Sequence, residues 1–127
     1  NDEDLKKIRD TYAQQDSLWR TSAPLNIFVL NYYTPHPSYA GLVEDAHSIF
    51  LFKQAIENVA ATPELIPAIE SSTILHEFGH LGGAEHINIQ GCIMIDKVEN
   101  LDFYNKIPTI PDTYCDDDLI EIQHALQ

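Results

Sequence analysis

Cations, cysteines, methionines and long apolar runs are all scarce in this chain, and each scarcity closes off a class of functions. Lys and Arg number 7 against 20 Asp and Glu, a formal net charge of −13. A surface so charged repels phosphate backbones, which argues against nucleic acid as a partner. The longest apolar stretches, such as LNIFVL (25–30) and SIFLF (48–52), fall far short of the roughly 20 residues a spanning helix needs, so no membrane span is expected. Two cysteines, Cys92 and Cys115, are too few for a disulfide scaffold or a four-thiolate zinc site. They suffice for one bridge, which suits an extracellular or cell-surface protein, or for two unpaired buried thiols, which would suit the cytoplasm. The one methionine stands at position 94 and the first residue is Asn1, as expected of a processed product or a piece excised from a longer chain. No cationic start leads into an apolar stretch, so no signal peptide is visible.

What is present fits one folded domain spanning residues 1–127. The chain is 44% hydrophobic and 9% aromatic, enough for a single core. Residues 3–20 carry Leu5, Ile8, Tyr12 and Trp19 at helical spacing between charges, which predicts an amphipathic helix. PLNIFVLNYY (24–33) is nearly continuous in apolar β-formers, as in a strand buried on both faces. TPHPSY (34–39) predicts a loop, AGLVED (40–45) an edge strand and HSIFLFKQAI (47–56) an inner strand. TPELIPAIESSTILHEFGHL (62–81) predicts a helix, with Pro63 or Pro67 in its first turn and Gly82–Gly83 ending it. Residues 84–115 read as mostly irregular. DDDLIEIQHALQ (116–127) predicts a closing helix, with Asp118 as N-cap, Glu121 three places on, and Leu119, Ile122 and Leu126 as the apolar stripe. The triple Asp suits capping and dipole compensation better than calcium. The fold class is therefore α/β: a small mixed, twisted sheet with an N-terminal, a central and a C-terminal helix.

The central helix carries the chemistry. His76 and His80 are four apart, on one helix face and about 6 Å apart along the axis. Two imidazoles so placed can grip one ion. Glu77 adjoins the first, where its carboxylate reaches a water without occupying a coordination position. This is HExxH, the arrangement of zinc-activated hydrolysis. Gly83 follows His80 by three residues, and His86 follows by three more. A straight helix would carry His86 away, so the chain must turn near Gly83, and glycine takes positive φ at little cost. With 6 His and 5 Gly in 127 residues, meeting both at fixed offsets is roughly 500-fold rarer than the core motif alone. His36 and His47 lie elsewhere and read as ordinary loop and strand-start residues.

The string His76-Glu77-x-x-His80-x-x-Gly83-x-x-His86 resembles that of the metzincin zinc peptidases. The resemblance implies one catalytic Zn2+ on the three histidines. It also implies that Met94, eight residues past His86, forms a methionine-containing turn beneath the metal as an apolar floor. The closing helix looks like that of matrixin-type members. Cys92 and Cys115 sit where archaemetzincins carry cysteines of a second, structural zinc site. Their partner positions there are Ile87 and Asp112, so a sulfur site cannot form and a disulfide is expected instead. Some metzincins add a tyrosine two residues after the methionine. That position is Asp96, so this assistance is absent unless Tyr104 or Tyr114 folds back. Ile87 also departs from the acidic or polar residue of several branches, so the clan is assigned and the family left open.

The chemistry implied is peptide-bond hydrolysis by a zinc-bound water, whose pKa falls towards about 7 and whose proton passes through Glu77 to the leaving amine. The expected partner is an extended peptide or protein substrate, pairing with AGLVED by main-chain hydrogen bonds if that strand borders the cleft. A monomer is expected. Two other classes stay open: a zinc-holding domain that binds partners without turnover, and a non-peptide amide hydrolase. Three imidazoles also suit cobalt, nickel or iron.

Overall fold

The structure, a computed structural model, describes residues 1–12, 25–45, 47–60, 62–89, 91–95 and 110–125. Helix α1 (Asp2–Tyr12) is followed by strands β1 (Asn26–Leu30), β2 (Gly41–Asp45) and β3 (Ser48–Phe52). Helix α2 (Lys53–Val59), a short 3-10 turn at Pro63–Leu65, α3 (Ile66–Leu81) and α4 (Asp116–Ala125) complete the order. This is the mixed α/β class the sequence predicts. Trp19, Asp96, Tyr104 and Leu126 lie outside the described residues.

The sheet order is β1-β3-β2, with β1 parallel and β2 antiparallel to β3. All five residues of β3 are buried, since it has a strand on either side and α3 packs against it. The β2–β3 hairpin is closed by Asp45 Oδ1, which accepts the His47 N–H at 2.8 Å. β2 is the expected edge strand. β1 is an edge as well, which corrects the expectation of a strand buried on both faces. Its residues alternate, with Phe28 and Leu30 packed on the core and Ile27 and Val29 43% and 55% exposed. Successive strand side chains point to opposite faces, so an apolar run fills both only where both are covered.

A second correction falls after β3. The strand expected to reach Ile56 stops at Phe52, and the chain enters α2 at once. Ala55 and Ile56 are buried and Val59 packs against the core, an i, i+1, i+4 pattern that belongs to a helix. The apolar residues on both sides of Phe52 hide the change of period. The main core gathers Leu5 of α1, Tyr33, Phe50, Phe52, Ile56 and Ile69. Arg9 of α1 pairs with Glu44 and, at 3.3 Å, with Asp45, tying α1 to β2. Tyr33 donates to Asp2, and that bond, with burial, pushes the phenol up to about 12.

In α4 the cap is corrected. Cys115 is the N-cap residue: its carbonyl accepts the Leu119 N–H at 3.1 Å, and its own N–H donates to Asp118 Oδ2 at 3.0 Å. Asp118 sits in the first turn and reaches back, as the third residue of a capping box does. Leu119 does not join the buried stripe, being 44% exposed. Ile122 and Tyr114 pack instead into a second, smaller core with Ala84, Ile93, Met94 and Leu75. Helical rotation from the new start turns Asp118 and Ile122, not Leu119, inward.

Cys92 and Cys115 form a disulfide, with their Cα atoms 5.4 Å apart. The bridge joins the segment around Met94 to the start of α4. With 23 residues of separation, it constrains the unfolded chain by about 3 kcal/mol. For a domain of this size, reduction is expected to lower Tm by roughly 10 °C. Melting with and without reductant checks this; an unchanged Tm would mean the bridge restrains nothing that the core does not. Among the described residues, no helix is long and apolar enough to cross a membrane.

Candidate metal centre

His76 and His80 project from successive turns of α3. His76 is fully buried, and its Nδ1 lies 2.7 Å from the Ile93 carbonyl oxygen. His80 Nδ1 lies 2.9 Å from the Ala84 carbonyl oxygen. A carbonyl only accepts, so both Nδ1 atoms carry protons and, in the neutral rings, both Nε2 atoms present lone pairs. Those two Nε2 atoms are 3.2 Å apart, and His86 Nε2 is 3.1 Å from each. Lone pairs facing one another at that distance repel unless a cation sits between them. A point about 2.0–2.1 Å from all three nitrogens, the zinc–imidazole distance, lies about 1 Å off their plane, so the three would occupy one side of a tetrahedron. His76, His80 and His86 form a group that can hold a metal ion. Carbonyl partners such as those of His76 and His80 are what orient imidazoles in sites that do hold a metal.

The turn that returns His86 is built as the spacing predicts. Gly83 has φ 95°, in the left-handed region that glycine favours. The Ala84 N–H donates to Gly79 O at 2.9 Å and the Gly83 N–H to His80 O at 3.0 Å, the paired bonds of a Schellman motif. That motif stops α3 one residue after His80. Beyond it, the Ile87 N–H donates to Met94 O at 3.0 Å, which draws the His86 segment over the residues beneath the site.

Glu77 is 1% exposed, next to His76 in sequence. It does not belong to the His cluster. Gly41, the first residue of β2, faces it: a Cβ there would lie 2.7 Å from Thr73 Cγ2 and 3.1 Å from both Glu77 Cγ and the Phe50 carbonyl oxygen. The absence of a side chain at 41 therefore lets the edge strand pass directly over Glu77. Gly41→Ala is expected to cost about 1–3 kcal/mol through overpacking. A denaturant midpoint equal to the parent's would show that β2 moves aside freely.

Met94 is fully buried and underlies the helix rather than joining the ligand set. Its Sδ rests on the backbone of Gly79, where a Cβ would come within 2.4 Å of the sulfur. That contact explains a glycine inside the helical motif, where none is needed for conformation. Tyr114 packs against the same glycine, and its hydroxyl donates to the Leu75 carbonyl. It thus braces the helix from the Met94 side. Burial, and then Asp118, raise its pKa. Asp118 is buried too, and desolvation outweighs its bond to the Cys115 N–H, so its pKa is raised.

No family model, curated protein or solved structure matches this chain.

Of the residues singled out, His76, His80 and His86 converge on one point, Gly83 makes the turn between the second and third, and Met94 packs on Gly79 of the same helix. His36 and His47 stay apart, His36 stacked on Tyr39 with ring centroids 4.6 Å apart and His47 exposed at the hairpin. Gly41, Gly79, Asp118 and Glu121 carry no signal in the sequence that marks them as parts of this site. The partners of Gly41 and Glu121 lie far along the chain, that of Gly79 lies across the turn, and Asp118 bonds within the start of its own helix.

Proposed function

We propose that this chain is a zinc-dependent metallopeptidase of metzincin type that hydrolyses peptide bonds in extended substrates. The supporting observation is the convergence of three imidazole Nε2 atoms within 3.2 Å beside a buried glutamate on the same helix. A zinc ion there would supply Lewis acidity towards a carbonyl and lower the pKa of a water towards about 7. Glu77 accepts the proton of the attacking water and delivers it to the departing amine. Its burial under Gly41 keeps the carboxylate in one place. A peptide added to the outer edge of β2 by main-chain hydrogen bonds passes Glu77, because the first residue of that strand rests on it. The Met94–Gly79 contact and the Tyr114–Leu75 bond hold the ligand-bearing helix from below. The Cys92–Cys115 bridge supports an extracellular or cell-surface location.

A digest of an unstructured protein by zinc-loaded material, with and without chelator, tests the reading. Chelator-sensitive cleavage is the expected result. Tight zinc binding without cleavage would replace it by a partner-binding domain, and turnover of small amides alone by a non-peptide hydrolase.

A further inference from the structure

His76 and His80 owe their positions to a helix, but His86 lies on an irregular segment and depends on what holds that segment. Three of its anchors are backbone or ligand atoms already described: Ala84 N–H to Gly79 O, His80 Nδ1 to Ala84 O, and Ile87 N–H to Met94 O. The fourth comes from α4. Glu121 Oε2 accepts the Glu85 N–H at 2.8 Å, across 36 residues of sequence and one residue before His86.

We infer that Glu121 is a positioning residue for the third metal ligand, holding the Glu85 amide so that His86 stays in register with His76 and His80. The inference rests on the proposed metal centre but not on peptidase activity. Glu121 is well placed for this. Its neighbour Ile122 packs on Gly82, where a Cβ would come within 3.1 Å of Ile122 Cγ1. One turn earlier, α4 is fastened by the Cys92–Cys115 bridge and the Asp118 cap. The carboxylate therefore projects from a helix fixed at both the helix stop and the Met94 segment. A charged acceptor on a backbone N–H makes one of the stronger hydrogen bonds available. Without it, the residues between Ala84 and Ile87 lose a restraint that ties them to α4. The imidazole then samples positions beyond reach of its companions, and metal affinity falls by the fraction of time spent there.

Outer-shell partners of metal ligands typically carry a factor of about 10–100 in affinity. Glu121→Ala is accordingly expected to raise the zinc dissociation constant about 10-fold, measured by competition with a chelating indicator. Glu121→Gln keeps an oxygen acceptor at the same reach and is expected to stay within about 3-fold of the parent. The cobalt-substituted protein adds a readout that a merely structural role would not move. Its visible absorption should weaken and shift in the Ala variant and recover in the Gln variant, while the metal-free proteins melt together. If Glu121→Ala does not fold, Glu121→Asp keeps the charge and withdraws the oxygens by about 1.5 Å, with the same loss expected. Zinc affinity and cobalt spectrum equal to the parent's in the Ala or Asp variant would overturn the inference. So would a parent that binds neither metal, which would remove the metal centre itself. Metal binding without peptide cleavage bears on the proposed function alone.

Discussion

Glu77→Gln is expected to lower peptide hydrolysis by about 10³-fold with the metal content of the protein unchanged. A positioned acid–base group contributes roughly 10²–10⁴ to rate, and the amide of glutamine cannot accept and return a proton. The two side chains have the same shape, so the packing of Glu77 against Gly41 survives. Because the clustered ligand atoms belong to His76, His80 and His86, the substitution removes none of them. Metal analysis of the purified variant beside a peptide-cleavage assay separates the two effects. Cleavage at the parent's rate would take Glu77 out of the proton transfer, and loss of metal would make it a ligand rather than a base.

His86→Ala is expected to weaken zinc binding by about 10²–10³-fold and to abolish turnover with it. Structural zinc sites bind with about 10–16 kcal/mol shared among four ligands, so one imidazole accounts for roughly 3 kcal/mol or more. The loss should be confined to the metal, since His86 is exposed while His76 is buried beneath it. The metal-free variant should therefore melt close to the metal-free parent, whereas the stabilisation that zinc confers on the parent should shrink, following the linkage between ligand binding and folding. Thermal melts at several zinc concentrations make the comparison. An unchanged response to zinc would mean that the trio is not the site of binding.

Several elements were legible because their signals are local. The four-residue spacing of His76 and His80 needs only the pitch of a helix, and Gly83 needs only the φ that a stop requires. The Met94 turn was expected only through the family resemblance, as was the bridge between Cys92 and Cys115, whose partner positions in that comparison, Ile87 and Asp112, carry no thiol. The errors have a common origin. LNIFVL reads as a central strand, but which strand is central depends on the order β1-β3-β2, and composition does not encode order. The switch from β3 to α2 is masked by apolar residues that satisfy both periods. The cap was misplaced by three positions because the aspartates at 116–118 all suit a helix start, whereas Cys115 holds the cap and Asp118 reaches back to its N–H.

The amino-acid sequence alone determined the histidine trio, the turn that returns the third imidazole, the general α/β order and the surface charge, since each follows from neighbours within about ten residues or from composition. Only the tertiary structure decided what surrounds that set: Gly41 on Glu77, Met94 on Gly79, and Glu121 on the Glu85 amide. For Gly41 and Glu121 the partners lie 36 residues apart, and Met94 reaches Gly79 across the turn that carries His86. Such contacts arise from where whole elements dock. No local periodicity records them, because either partner alone would satisfy its own helix or strand equally well with a different residue.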